Sequence, residues 1–284
     1  MKKTTKTITV ILALALVLGM VTGCSSSEPI NEQPAPAPEP AAVTEPEPEP
    51  ELTGEIMIAA AASLQNAFEG DLIPLFNIEY PGVKVIGTYD SSGKLQTQIE
   101  EGLDAQLFFS AATKQMDALV EDGLIDGGTV VNLLENEVVL ITRTDSETKV
   151  TGFENIMDAA NIAVGDPASV PAGQYAEEVL TNLGFWDEIS QSASLGTNVT
   201  EVLNWVAEGL AEVGIVYMTD AASMADKVTV IASAPAGTLK TPVVYPVGLQ
   251  MNLGDKTEAT EVFLDFVKSQ KALEVFRSYG FKPL

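Results

Sequence analysis

Between Glu55 and Asp122 the chain alternates three times between a short apolar run and a segment with helical spacing. No other feature narrows the fold as far. The runs are EIMIAAA (Glu55–Ala61), VKVIGTY (Val83–Tyr89) and AQLFFS (Ala105–Ser110). Runs of this length, followed by turn residues or a helix start, read as strands buried in a sheet. Between them Leu64, Phe68, Leu72, Leu75 and Phe76 share one helical face, and Leu95, Ile99 and Leu103 share another. Thr113–Asp122 supplies a third helix. The order β-α-β-α-β-α points to an α/β protein with a parallel sheet and helices on both faces.

The same vocabulary continues downstream. Asn136–Arg143 (NEVVLITR) reads as a strand at which the chain changes lobe. Ile162–Val164 and the helix after Pro171 form another βα pair. Val199–Glu208 reads as a helix capped by Asn198 or Thr197. Glu212–Tyr217 and Lys227–Ile231 are strands, and Pro242–Met251 is a strand-like run broken by Pro246. Thr257–Tyr279 is an amphipathic helix or helix pair. A chain of 284 residues accommodates one large domain or two lobes with real cores.

The N-terminal residues carry a different message. Met1-Lys2-Lys3 precedes an apolar run, Ile8–Val21, of signal-peptide length and too short to span a membrane comfortably. It ends in Val21-Thr22-Gly23-Cys24, which resembles a bacterial lipobox. The resemblance implies a signal peptide over 1–23, cleavage before Cys24 and lipidation of Cys24. Residues 24–52, rich in Pro, Glu, Ser and Ala, cannot bury a core and read as a disordered spacer between membrane and body.

Composition excludes several functions. The formal net charge is −25, which sets aside nucleic acid as a partner. There is no histidine, so Ser-His-Asp and Cys-His catalysis and HExxH zinc sites are absent. The one cysteine excludes intrachain disulfides and cysteine-cluster metal sites.

Three helix starts share one chemistry: Ser63, Ser91-Ser92-Gly93 and Ala172-Gly173 each follow a strand or turn, and the last mouth carries no basic residue. The first N–H groups of a helix lack internal partners and carry a partial positive charge. In open α/β sheets such mouths gather at the carboxyl ends of strands, where ligands bind. Seryl hydroxyls add donors. Each feature has a plainer reading as well. A serine at a helix start is commonly a cap, Asp166-Pro167 suits a turn, and Tyr217 suits a core position.

Taken together, AAAASL (59–64), YDSSGKLQTQIEEG (89–102), AVGDPASVPAGQYAEEVL (163–180), GIVYMTDA (214–221) and YPVGL (245–249) resemble the substrate-binding proteins of bacterial molybdate ABC transporters. The resemblance runs from about Glu55 to Leu284. It implies a two-lobe, type II periplasmic-binding-protein fold, each lobe a mostly parallel sheet flanked by helices, joined by two crossover segments. The implied boundaries are 53–136 plus 246–284 for lobe 1 and 137–245 for lobe 2. The implied ligand is molybdate or tungstate, held by hydrogen bonds and without a cofactor or free metal cation. Carried over residue by residue, the hydroxyl donors are Ser63, Ser92 and Tyr217. The main-chain donors are Ser63, Ser92, Ala172 and Val199. The partners implied are an ABC permease with its ATPase subunit and a membrane reached through Cys24. The protein is then extracytoplasmic, membrane-anchored, monomeric and not an enzyme. The chain departs from the family at Gln106 and Ala112, where acidic residues are usual.

Neutral donors suit a tetrahedral, fully deprotonated dianion, whose oxygens only accept hydrogen bonds. Two other classes remain open. One is a binding protein for sulfate or another small oxyanion. The other is an enzyme using a Ser-Lys pair, for which Ser92 and Lys94 are the candidates, although a two-residue offset separates them on a helix. A purely structural surface lipoprotein is a further possibility.

Overall fold

The strands and helices follow the predicted order closely in the computed structural model, which describes residues 52–284. The expected signal peptide, Cys24 and all of the spacer except Leu52 lie outside the described residues. The first unit runs β1 (Gly54–Ala61), then a helical stretch, then β2 (Val83–Asp90). That stretch contains α1 (Gln65–Ala67), a π-type turn over Phe68–Leu72 and α2 (Ile73–Glu79). Next come α3 (Ser92–Glu100), β3 (Leu107–Phe109), α4 (Thr113–Glu121), β4 (Val131–Asn136) and β5 (Val138–Arg143). The middle of the chain supplies β6 (Ile162–Gly165), α5 (Pro171–Asn182), α6 (Trp186–Ile189), β7 (Ser194–Gly196), α7 (Val199–Ala207) and β8 (Val213–Tyr217). It ends with α8 (Met218–Ser223), β9 (Val228–Ser233), β10 (Val243–Leu249), α9 (Thr257–Lys268), α10 (Gln270–Ser278) and β11 (Lys282–Pro283).

These strands form two sheets, ordered β11-β4-β10-β3-β1-β2 and β7-β6-β8-β5-β9. Both are mixed, which corrects the expectation of mostly parallel sheets. β1 is parallel to β2 and β3, whereas β10 runs antiparallel to β3 and β4, and β11 antiparallel to β4. In the second sheet β6 is parallel to β7 and β8, and β5 is antiparallel to β8 and β9. The cause is connectivity. Parallel pairing needs a helical crossover on the same sheet. β5 and β10 instead enter their sheets from the lobe boundary, where their neighbours β8, β3 and β4 end, so they must run the opposite way.

The chain crosses between sheets twice, at Glu137 and between Ser233 and Val243. The expected single strand Asn136–Arg143 is therefore the end of one strand and the whole of the next, in different sheets. Lobe 1 also begins again earlier than the expected residue 246, because Val243 already pairs with Asn136. Pro246 marks a register shift inside β10 rather than its end. A bulge accommodates a residue that cannot donate to the ladder.

Burial explains why the strands read as unbroken apolar runs. In β1, Ile56, Ile58 and Ala60 face the core under α2, α9 and α10, while Ala59 faces a second core under α3 and α4. β3 repeats this, with Leu107 and Phe109 on one side and Phe108 on the other. A sheet covered on both faces needs apolar side chains at successive positions. Phe68 fixes the first face, its ring 4.9 Å from Phe109 and 5.9 Å from Phe276. The carboxyl ends of strands from the two sheets meet.

Candidate functional site

Six strand ends and the segments that follow them line one small cavity. Lobe 1 contributes Ala61, Ala62 and Ser63 after β1, and Asp90, Ser91 and Ser92 after β2, with Ala111 after β3. Lobe 2 contributes Val170, Pro171 and Ala172 at the start of α5, Val199 at the start of α7, and Tyr217 at the end of β8. The room between its walls is far below the roughly 300 Å³ at which drug-sized sites begin, so only a solute of very few atoms can be accommodated. All five residues named from the sequence line it: Ser63, Ser92, Ala172, Val199 and Tyr217.

The hydroxyls are arranged as donors. Ser92 Oγ accepts from Ala111 N at 2.9 Å, which leaves its O–H free to point elsewhere. Ser63 Oγ lies 2.9 Å from Tyr245 Oη, and that phenol accepts from Asn136 Nδ2 at 3.2 Å. Either oxygen can donate in the Ser63–Tyr245 pair, and when Tyr245 donates, the Ser63 proton is free for the cavity. Tyr217 Oη is buried and has no partner among the described residues. Burial, the neighbouring tyrosines Tyr245 and Tyr175, and Asp220 all push its pKa well above 10. It is therefore a fixed O–H donor at any physiological pH.

The main chain supplies the rest. Among the described residues the N–H groups of Ser63, Ser92, Ala172 and Val199 meet no backbone acceptor, as expected for the first positions of helices. α7 is capped by Asn198, whose Oδ1 accepts Glu201 N at 2.9 Å, so Val199 N remains open. α5 begins with Pro171, pre-set for a first turn. Its Gly173 sits so close to the end of β6 that a Cβ there would lie 2.5 Å from the Gly165 carbonyl carbon. The glycine lets the helix mouth stand directly on the strand end, which is the physical content of the VGDP…VPAG pattern.

Among the described residues no lysine or arginine lines the cavity. Lys94 Nζ instead lies 3.3 Å from Asp90 Oδ1, and Ser92 Oγ is engaged with Ala111, so the two do not form a Ser-Lys pair. Among the described residues no group of three or more carboxylates and other ligating side chains could hold a bare cation. Gln106 and Ala112, where the chain departs from the family pattern, do not line the cavity. Gln106 Oε1 accepts Met57 N at 2.7 Å and ties down β1.

Sequence reasoning passed over Asp90, Ser91 and Ala111 as site residues. Asp90 Oδ1 accepts from Ser91 N and, across the lobes, from Asn198 Nδ2 at 3.2 Å. Three more hydrogen bonds cross between the lobes: Gly93 N to Ser169 O at 2.9 Å, Gln115 Nε2 to Gln174 Oε1 at 3.3 Å, and Asn136 Nδ2 to Thr219 Oγ1 at 2.8 Å. These pairings involve residues about 60 to 110 positions apart, and no local pattern announces them.

Two α/β lobes joined by two crossings, with a small cavity where they meet, are the architecture of a solute-binding protein. The chain belongs to the bacterial extracellular solute-binding protein family, whose description matches residues 56–282. It is 38% identical over 234 residues to the molybdate-binding protein ModA of Escherichia coli, an alignment spanning 80% of this chain and 89% of that protein. In three dimensions it resembles the periplasmic molybdate-binding protein of Azotobacter vinelandii. The TM-score is 0.68 at 22% identity, over 80% of this chain and 98% of that one. It also resembles the sulfate-binding protein SubI of Mycobacterium tuberculosis, with a TM-score of 0.70 at 16% identity over 81% and 87% of the two chains. The last two likenesses establish the fold alone, and the anion must be argued from the cavity.

Proposed function

We propose that this protein captures molybdate outside the cytoplasm and delivers it to an ABC permease and its ATPase. The observation that carries the reading is the cavity itself: donors from both lobes, no cation, and no room for a larger solute. Its Escherichia coli relative is named for the same ligand. In this reading Ser63, Ser92 and Tyr217 donate through hydroxyls, and Ser63, Ser92, Ala172 and Val199 through N–H groups. Tungstate, of the same charge and shape, binds alike. Cys24 carries the lipid that holds the body near the permease.

The chemistry of selection follows from the donors. A fully ionised tetrahedral anion presents only acceptors, and each finds a partner. Hydrogen phosphate would turn an O–H toward donors, and an unmet buried group costs about 1–3 kcal/mol. Sulfate carries the right charge but has shorter bonds and leaves the ring loose. Because the donors are split between lobes, the ligand stabilises the closed form by its differential affinity for it. A neutral ring also leaves no counterion to retain the ligand at handover.

Calorimetry is expected to show one molybdate per chain, tungstate comparable, and sulfate and phosphate at least about tenfold weaker. Sulfate binding as tight as molybdate would replace this reading with that of a general oxyanion receptor. No stabilising ligand in a thermal-shift panel would remove it.

Tyr217→Phe separates ligand binding from folding. Among the described residues the hydroxyl has no partner, so its loss should leave the empty protein as stable as before, or slightly more so. Affinity for molybdate should fall by about 10- to 100-fold, the scale of one hydrogen bond to a charged group. A variant with unchanged affinity would take Tyr217 out of the site.

A further inference from the structure

The start of α3 carries a hydroxyl that the donor set above leaves out. Ser91 is the N-cap residue of this nine-residue helix, yet its side chain makes no capping bond. Its Oγ is buried and has no partner among the described residues, the residue lines the cavity, and it is only 3% exposed. An N-cap serine ordinarily accepts the N–H of the second or third helical residue. Here the second of these, Gly93 N–H, donates to Ser169 O of the other lobe at 2.9 Å. The Ser91 backbone is meanwhile held at both ends. Its N–H donates to Asp90 Oδ1 at 2.8 Å, and its carbonyl accepts Leu95 N at 3.0 Å.

We infer that Ser91 Oγ is a further donor to the bound oxyanion, and that lobe closure frees it for this role by giving Gly93 N–H an acceptor in the second lobe. The inference rests on the oxyanion reading and extends it. With the lobes apart, Ser169 O is withdrawn, and Ser91 Oγ is the acceptor best placed to take Gly93 N–H and cap α3. With the lobes together, Ser169 replaces the serine as acceptor. The hydroxyl is then buried, with a proton to give and no protein group to take it. A buried polar group in that state is costly, and an oxyanion oxygen removes the cost. Closure without ligand is thereby penalised, and closure on a deprotonated anion is favoured.

The test is calorimetry with molybdate on the purified protein and on Ser91→Ala, Ser91→Thr and Ser92→Ala, with melting curves of each without ligand. Ser91→Ala is expected to bind at least about tenfold more weakly. Ser91→Thr, which keeps the hydroxyl, should stay within about threefold of the parent. Ser91→Gly keeps a favourable N-cap and gives the same reading if the alanine variant does not fold. A Ser91→Ala protein with a lowered melting temperature and parental affinity would make Ser91 a cap only and overturn the inference. In that case a weakened Ser92→Ala would still uphold the site. If the parent protein itself bound no oxyanion, the functional reading and this inference would fall together.

Discussion

Gly93→Val is expected to weaken molybdate binding by about a thousandfold or more while leaving both lobes folded. Gly93 lies in the first turn of α3, and its N–H meets Ser169 O directly. A Cβ at this position would overlap that carbonyl oxygen and sit 2.7 Å from Ser169 Cα. The obstacle is backbone, held by its own bonds: Ser169 N and Val170 N both donate to Asp166 O. It cannot swing aside as a side chain would. The lobes must therefore stop short, and Ala172, Val199 and Tyr217 lose reach of an anion resting on Ser63 and Ser92. Three hydrogen bonds to a charged group at about 1.5 kcal/mol each amount to roughly 10³-fold in affinity. In the open form the new side chain meets solvent, so the ligand-free melting temperature should stay close to that of the parent. The melting-temperature rise on adding ligand should disappear. Undiminished affinity would mean that the anion does not need the lobes to approach this closely.

Asp220→Asn should markedly change the pH dependence of stability between acid and neutral pH. Asp220 follows Tyr217 in α8, is 5% exposed, and accepts Tyr217 N through Oδ2 at 3.1 Å. Burial pushes its pKa up to about 7, and the bond from Tyr217 N–H only partly opposes this. Arg277 borders the same polar groove but forms no ion pair with it among the described residues. An unfolded carboxyl titrates near 4. Between about pH 4 and pH 7 the folded protein therefore retains a proton that the unfolded chain has released. The contribution of this group to stability is most favourable below about pH 4. It falls by up to about 1.4 kcal/mol per pH unit as pH rises, and levels off above about pH 7. Asparagine keeps an acceptor for Tyr217 N and never ionises. The variant should gain up to about 4 kcal/mol over the parent at pH 8, and much less at pH 5. Denaturant melts at the two pH values measure this, and equal slopes for parent and variant would contradict it.

Much of the framework was legible because burial on both faces of a sheet leaves a plain mark. Ile56, Ile58 and Phe108 each belong to a strand with no polar face to blur it. The residues that line the cavity were legible for a related reason: a helix mouth stands at a strand's carboxyl end, and SerLeu after AAAA or ProAlaGly after GlyAspPro marks that junction. What escaped the sequence is what long-range pairing decides. β4 was missed because VNLLEN has one clearly buried stretch and an exposed start. β7 and β11 have three and two residues and hold their conformation only through their neighbours. The antiparallel entry of β5 and β10 depends on where the chain crosses between lobes, which no local period encodes. Ser91 read as a cap, and only the position of Ser169 shows why it does not cap. Asp90 drew no reading of its own, and its bond to Asn198 appears only once the lobes are side by side.

A crystal of the protein grown with molybdate, measured at the molybdenum absorption edge, addresses the central claim most directly. The account predicts one anomalous peak between the lobes, within hydrogen-bonding distance of the hydroxyls of Ser63, Ser92 and Tyr217 and of the N–H groups of Ala172 and Val199. A peak on either lobe alone, or one clasped by a lysine or arginine, would contradict it.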